Sequence, residues 1–215
     1  MIKPQDILVL VKLISIENQH QIFKDYYSEA QLEWDKLEDE QLDIFLKLSA
    51  FYDSLSIRGL AEAVVISKSE VSESLKRLIK IGLLIVTSNS PFKRLELVEM
   101  QWKTNRRALL DLIIYSFQYF FHTEVGAIDI GIPTVFNNKK LSDHLSYSSS
   151  LPYIWPAQSY QSISGLAVEP LYKSVPYAAL DDNFLYEVFA LIDVFRIGSP
   201  REKKIAEKLL REYLQ

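Results

Sequence analysis

A chain of 215 residues that is 48% hydrophobic and 24% charged has enough apolar side chains to bury a sizeable core, in one large domain or two small ones. The absence of cysteine removes disulfide staples, thiol nucleophiles and zinc-finger ligand sets, and a formal charge of -4 argues against indiscriminate adhesion to nucleic acid. The charge is unevenly spread: residues 54–107 hold ten Lys or Arg against five Glu, whereas residues 17–53 hold three Lys against ten acids.

In chain order, Met1-Ile2-Lys3-Pro4 runs straight into a helix predicted over residues 4–16, with Pro4 suited to its first turn. Ile7, Leu8, Leu10, Val11, Leu13 and Ile14 make that helix apolar nearly all round, so it is expected to be buried. Residues 17–55 form an acidic insertion with helical patterning. Leu42, Phe45, Leu48 and Tyr52 fall at helical spacing and place the end of an amphipathic helix near Asp53. The acids Glu38, Asp39 and Glu40 read better as partners of a helix dipole than as a cation site.

Residues 56–98 have the clearest local grammar. A short helix opens at Ser56 or Ile57, with Leu60, Ala61 and Val64 inward, and a break at residues 65–67 leads to a second helix. Ser67 with Glu70 predicts a capping box at its start, and Gly82 a left-handed stop at its end. Val71, Leu75, Leu78 and Ile79 form its apolar stripe. Ser69, Ser72, Glu73, Lys76 and Lys80 form the opposite one, whose small polar residues suit close approach to DNA bases. Strands are predicted over residues 83–86 and 95–98, with a loop carrying Lys93 and Arg94 between them. The predicted DNA contacts are Lys68, Ser69, Ser72, Glu73, Lys76, Lys80, Lys93 and Arg94.

In Leu60-Ala61, Ile66, Val71-Ser72, Leu75 and Gly82-Leu83-Leu84 the stretch resembles bacterial winged helix-turn-helix transcription regulators of the MarR-like kind. One departure is Val65, which stands where such motifs most often carry a turn glycine. Valine tolerates a left-handed turn poorly, so a longer or differently shaped turn is expected here.

Residues 104–121 predict the most apolar helix of the chain, with Leu109, Leu110, Ile113, Phe117 and Phe120 on several faces. That excess suggests pairing with a second copy, and Asn105-Arg106-Arg107 at its start is either a phosphate contact or a solvated end. Over residues 124–173 periodicity is lost and irregular structure is expected. Tyr147, Tyr153, Trp155, Tyr160 and Tyr172 there either build a core or line a sensing groove. Helices return over residues 178–195 and 200–214, punctuated by Gly198. The opening run Lys3-Pro4-Gln5-Asp6 and the landmarks Gly131-Ile132-Pro133-Thr134, Trp155-Pro156 and Glu169-Pro170-Leu171-Tyr172 also resemble a group of prokaryotic helix-turn-helix regulators.

The fold class expected is mainly α with a small β-wing: a winged helix-turn-helix domain over residues 1–103 and an α-rich part over 104–215 for dimerisation or sensing. No phosphate-cradling glycine loop, nucleophile elbow or helical zinc motif occurs, and Ser142, Asp143 and His144 are adjacent in sequence only, so no enzyme and no cofactor are expected. His20, His122 and His144 make no spaced ligand pair, so no metal is expected either. No apolar run approaches the roughly 18 residues of a membrane span and no cleavage site follows the N-terminus, which predicts a cytoplasmic protein. The function expected is a sequence-specific DNA-binding regulator, a homodimeric repressor of its own or a neighbouring operon, responsive to a small-molecule effector or protein partner. The alternative is a protein-binding antidote or partner module of a toxin or phage-defence operon that uses the same fold.

Overall fold

The computed structural model describes residues 1–29, 56–87, 101–137 and 151–214. Among these the chain is mainly helical, with one two-stranded and one three-stranded sheet. The first helix, α1 (Pro4–Glu29), is longer than the expected 4–16, because no Gly or Pro interrupts the chain after Ile16. Ile7, Leu8, Val9, Leu10, Val11 and Ile14 are fully buried, as an all-round apolar surface requires. The rest of the expected helical insertion, including Glu38, Asp39 and Glu40, lies outside the described residues.

Two short helices follow, α2 (Ile57–Ala63) and α3 (Lys68–Lys80), each capped by a serine. Ser56 accepts from the Gly59 amide at 3.0 Å and Ser67 from the Glu70 amide at 3.3 Å. The capping box expected at Ser67 is only half made, because the Glu70 carboxylate turns away to Gln5 and Arg77. Both helices end in the same six-residue motif. The Gly82 amide donates to the Ile79 carbonyl and the Leu83 amide to Leu78, while Val65 donates to Glu62 and Ile66 to Ala61. Gly82 supplies the left-handed residue at φ +73°, as expected. After α2 Val65 itself supplies it at φ +54°, with the same pair of hydrogen bonds as at Gly82, in place of the longer or differently shaped turn expected from valine.

The strand β1 (Leu84–Val86) pairs antiparallel with β2 (Trp102–Thr104), matching Leu84 with Thr104 and Val86 with Trp102. Its partner therefore sits beyond the expected 95–98, which lies outside the described residues. Trp102 and Thr104 are buried and Lys103 faces out, the alternation of a half-buried strand. Next comes α4 (Arg106–Phe120), capped by Asn105, whose side chain accepts from the Ala108 amide at 3.1 Å.

Three strands replace much of the irregular structure expected over residues 124–173. They are β3 (Val125–Pro133), β4 (Tyr153–Pro156) and β5 (Ile163–Val168), with a 3-10 turn at Val135–Asn137. β3 pairs antiparallel with both others, and β4 meets β5 in parallel at Tyr153 and Ile154, closing a ring. Two glycines make the ring tight: a Cβ on Gly131 would stand 2.0 Å from the Trp155 carbonyl oxygen, and one on Gly165 would stand 2.4 Å from that of Pro152. The helix expected over 178–195 is two helices, α5 (Val175–Leu180) and α6 (Asn183–Ile197), parted where Asp182 caps α6 through the Leu185 amide at 3.0 Å. α7 (Pro200–Tyr213) begins with a complete capping box between Ser199 and Glu202.

The helix α6 lies at the centre, against α1, α4, α5, α7 and the 3-10 turn. Buried side chains form one continuous cluster from α1 to α7, spanning residues before and after 103. At about 1.5–3 kcal/mol for each fully buried Leu, Ile, Val or Phe, this cluster supplies the main favourable term for folding. No helix among the described residues is long and apolar enough to cross a membrane.

Candidate nucleic-acid interface

The buried side of α3 is Val71, Ser74, Leu75 and Leu78. Ile79, expected in that stripe, is 38% exposed and stands at its edge. A polar clamp behind the helix was not foreseen. Asp6, fully buried on α1, accepts from Arg77 at 2.7, 3.0 and 3.1 Å, and Arg77 also donates to Glu70 at 2.6 Å and Ser74 at 3.0 Å. Gln5 donates to Glu70 at 2.9 Å. The Asp6 carboxylate holds the Arg77 guanidinium well above its ordinary pKa, and Gln5, then Arg77, hold the Glu70 carboxyl below its own. The sequence signal for this clamp is the acid Asp6 in the first turn of a helix whose next residues, 7–11, are all apolar.

With its rear so fixed, α3 turns Lys68, Ser69, Glu73, Lys76 and Lys80 to solvent and leaves Ser72 partly exposed among them. These six side chains share one face, as the spacing predicts. Glu73 and Lys76 pair at 2.7 Å, which draws the Glu73 carboxyl below its ordinary pKa, so that part of the face is locally neutral. Among the described residues Lys68 and Lys80 have no ion-pair partner. Lys93 and Arg94 lie outside the described residues. An α-helix with its side chains is about 10–12 Å across and the DNA major groove about 12 Å wide, so a face of serines and lysines can enter it.

No family model, no curated protein and no solved structure matches this chain.

The other basic cluster divides by role. Arg106 pairs with Glu17 at 3.0 Å and donates to Asn18 at 2.7 Å, while the Thr104 amide and hydroxyl both donate to Glu17 at 2.6 Å. Arg106 therefore fastens α4 to α1, whereas Arg107 is exposed. Asn105 donates to the Gly82 carbonyl at 3.2 Å, tying the end of α3 to the start of α4.

Two side chains of the C-terminal half, Ser174 and Asp182, make hydrogen bonds to this region that no local pattern signals. Ser174, at the start of α5, donates to the Val64 carbonyl at 2.8 Å, beside the Val65 turn. Asp182 accepts from Lys12 and Ser15 of α1, each at 2.7 Å. Trp155, expected either in a core or in a groove, is fully buried, and its indole N–H donates to Asp193. Thr134 donates to the same carboxylate at 2.9 Å and Arg196 at 2.7 Å. Burial pushes the Asp193 carboxyl above its ordinary pKa, against the pull of Arg196. Arg196 also donates to the Phe121 and Glu169 carbonyls at 2.8 Å. The landmarks around Thr134, Trp155 and Glu169 thus converge on one buried polar knot.

Proposed function

We propose that residues 56–104 form a winged helix-turn-helix of the MarR-like kind and that the chain is a sequence-specific, DNA-binding transcription regulator. The observation that carries this reading is the division of α3: one face is bolted to α1 through Arg77, and the other presents Lys68, Ser69, Ser72, Glu73, Lys76 and Lys80. The test is selection from a random duplex pool followed by gel shift. Lys76→Ala and Lys80→Ala should each weaken specific and random DNA alike and lower the salt slope by about one unit, while Ser72 and Glu73 changes should alter the preferred sequence. Unchanged affinity in a quadruple Ser69, Ser72, Lys76 and Lys80 alanine variant would remove the reading.

The regulator acts as a homodimer on its own or a neighbouring operon in this reading, since two copies present two reading helices to two half-sites. Exposed Tyr115, Tyr119 and Phe120 on α4 support a covered face there. The same side chains favour the second reading, a protein-binding antidote or partner module of a toxin or phage-defence operon. Gel shift separates the two, because a pure docking module leaves every duplex in the pool unshifted.

A further inference from the structure

The basic residues around α3 divide into held and free. Arg58 pairs with Glu62, Lys76 with Glu73, Arg77 with Asp6 and Arg106 with Glu17. Lys68, Lys80, Lys103 and Arg107 are exposed and have no ion-pair partner among the described residues. All but Lys68 belong to one corner, where α3 ends and α4 begins. Two hydrogen bonds close that corner: the Asn105 backbone amide donates to the Leu83 carbonyl at 2.9 Å, and the Asn105 side chain to the Gly82 carbonyl at 3.2 Å. Lys80 leads into it and Arg107 leads out of it, while the β1–β2 pairing sets Lys103 directly opposite Ile85 on the outward face. Residues 80–87 and 101–107 contain no Asp or Glu to neutralise these cations.

Two isoleucines lie uncovered at the same corner. Ile81 is 47% exposed and Ile85 51%, whereas Leu83 and Leu84 between them are buried. A surface made only for phosphate gains nothing from isoleucine, because the nucleic-acid backbone offers charge and hydrogen-bond acceptors and little apolar area. Apolar side chains set among unpaired cations are instead the features of a protein-binding surface. Carboxylates would meet the cations, and apolar side chains on the same segment would cover the isoleucines.

We infer that this corner docks an acidic, amphipathic segment of a protein partner, with its carboxylates on Lys80, Lys103 and Arg107 and its apolar side chains on Ile81 and Ile85. Charge complementarity selects that occupant, since the corner carries unpaired positive charge and no acid of its own. The test is fluorescence anisotropy of the full chain with a labelled helical peptide of glutamate and leucine. Its controls are the same peptide with glutamine for glutamate, oligoglutamate without leucine, and a random DNA duplex. The acidic peptide should bind about tenfold more tightly than either peptide control. Lys103→Glu combined with Arg107→Glu should weaken it about tenfold or more, and Ile81→Ser combined with Ile85→Thr about fivefold. All four side chains are exposed, so circular dichroism should show the parent fold in both variants. No binding up to ~1 mM, or equal binding of either peptide control, would overturn the site. Peptide affinity unchanged in both folded variants would overturn it as well. A random duplex weakened by Lys103→Glu with Arg107→Glu as much as the peptide is would make the corner a phosphate contact and overturn protein docking. A change of oligomeric state in that variant, read by light scattering, would seat a second copy there and overturn it too.

Discussion

Val65 carries a conformational cost that a glycine would not. Its φ of +54° lies in the left-handed region, where an L-residue costs about 1–2 kcal/mol and a branched one stands at the upper end. Its side chain is 54% exposed, so little burial repays that cost. Val65→Gly relieves the strain but adds about 0.4–1 kcal/mol of unfolded-state entropy, so a net gain of about 0.5–1 kcal/mol is expected in urea unfolding. Val65→Asn should gain at least as much, and a loss of stability in both variants would contradict a left-handed Val65. At the rear of α3, Asp6→Ala leaves Arg77 without its main partner. Breaking a buried pair costs about 3–5 kcal/mol, and since a fifth of the Arg77 side chain is exposed the lower end applies. Glu70 gives the pH dependence. Its folded pKa lies below the ordinary 4.5, so the unfolded chain takes up the proton first on acidification. The stability it contributes is present above pH 4.5 and is lost as pH falls through the folded value. Glu70→Gln should therefore flatten the acid limb of a stability–pH curve below about pH 4.5 while changing little of its alkaline shape.

Among the elements, the three-strand ring is the one whose closure depends on missing side chains. Gly131→Ala or Gly165→Ala drives a methyl group into a carbonyl oxygen of the neighbouring chain segment and should cost about 1–3 kcal/mol or more, the usual penalty of overpacking. On the same strand, a Cβ at Gly126 would meet Ala167 at 3.5 Å, an ordinary contact, so Gly126→Ala should stay within about 0.5 kcal/mol of the parent. Thermal melts of the three variants distinguish a closed ring from an open hairpin, in which all three substitutions would behave alike. The ring matters beyond itself because Trp155, at its β4 strand, reaches the Asp193 carboxylate on central α6.

For the whole molecule, the question is what covers α4. Leu109, Leu110, Ile113 and Phe117 are consumed by the chain's own core, which leaves less apolar surface for a second copy than the composition suggests. What remains outside is Tyr115, Tyr119 and Phe120, each exposed. In the homodimer proposed above these meet their equivalents, and Tyr119→Glu combined with Phe120→Glu should convert the dimer to monomer in light scattering at micromolar concentration. Half-sites about 34 Å apart, one turn of DNA, are then the expected spacing in selected duplexes. A parent protein that scatters as a monomer throughout would remove the dimer, and selected sites would then lack twofold symmetry.

Read alone, the sequence determined whatever is set within a turn or two of a residue. Ser56 and Ser67 open helices because their side chains reach an amide three residues on, Gly82 stops α3, and Val71, Leu75 and Leu78 face inward by helical period. Exposure of Lys68, Ser69, Glu73, Lys76 and Lys80 follows from that same period. Tertiary contacts decided the rest. Valine's local preference is against a left-handed turn, yet Val65 takes one where Ser174, far along the chain, holds the Val64 carbonyl. Glu70 left its own capping box because Gln5 and Arg77 compete for its carboxylate. Arg106 became a brace for α1, and Trp155 a core residue, through Glu17 and Asp193 respectively. The strands of the ring likewise depend on partners distant in sequence. Ile128, Ile130 and Ile132 do alternate with Asp129 and Gly131, but residues 125–130 are exposed on both faces, and β3 pairs Val125 with Val168, a partnership that only the folded chain brings within hydrogen-bonding reach.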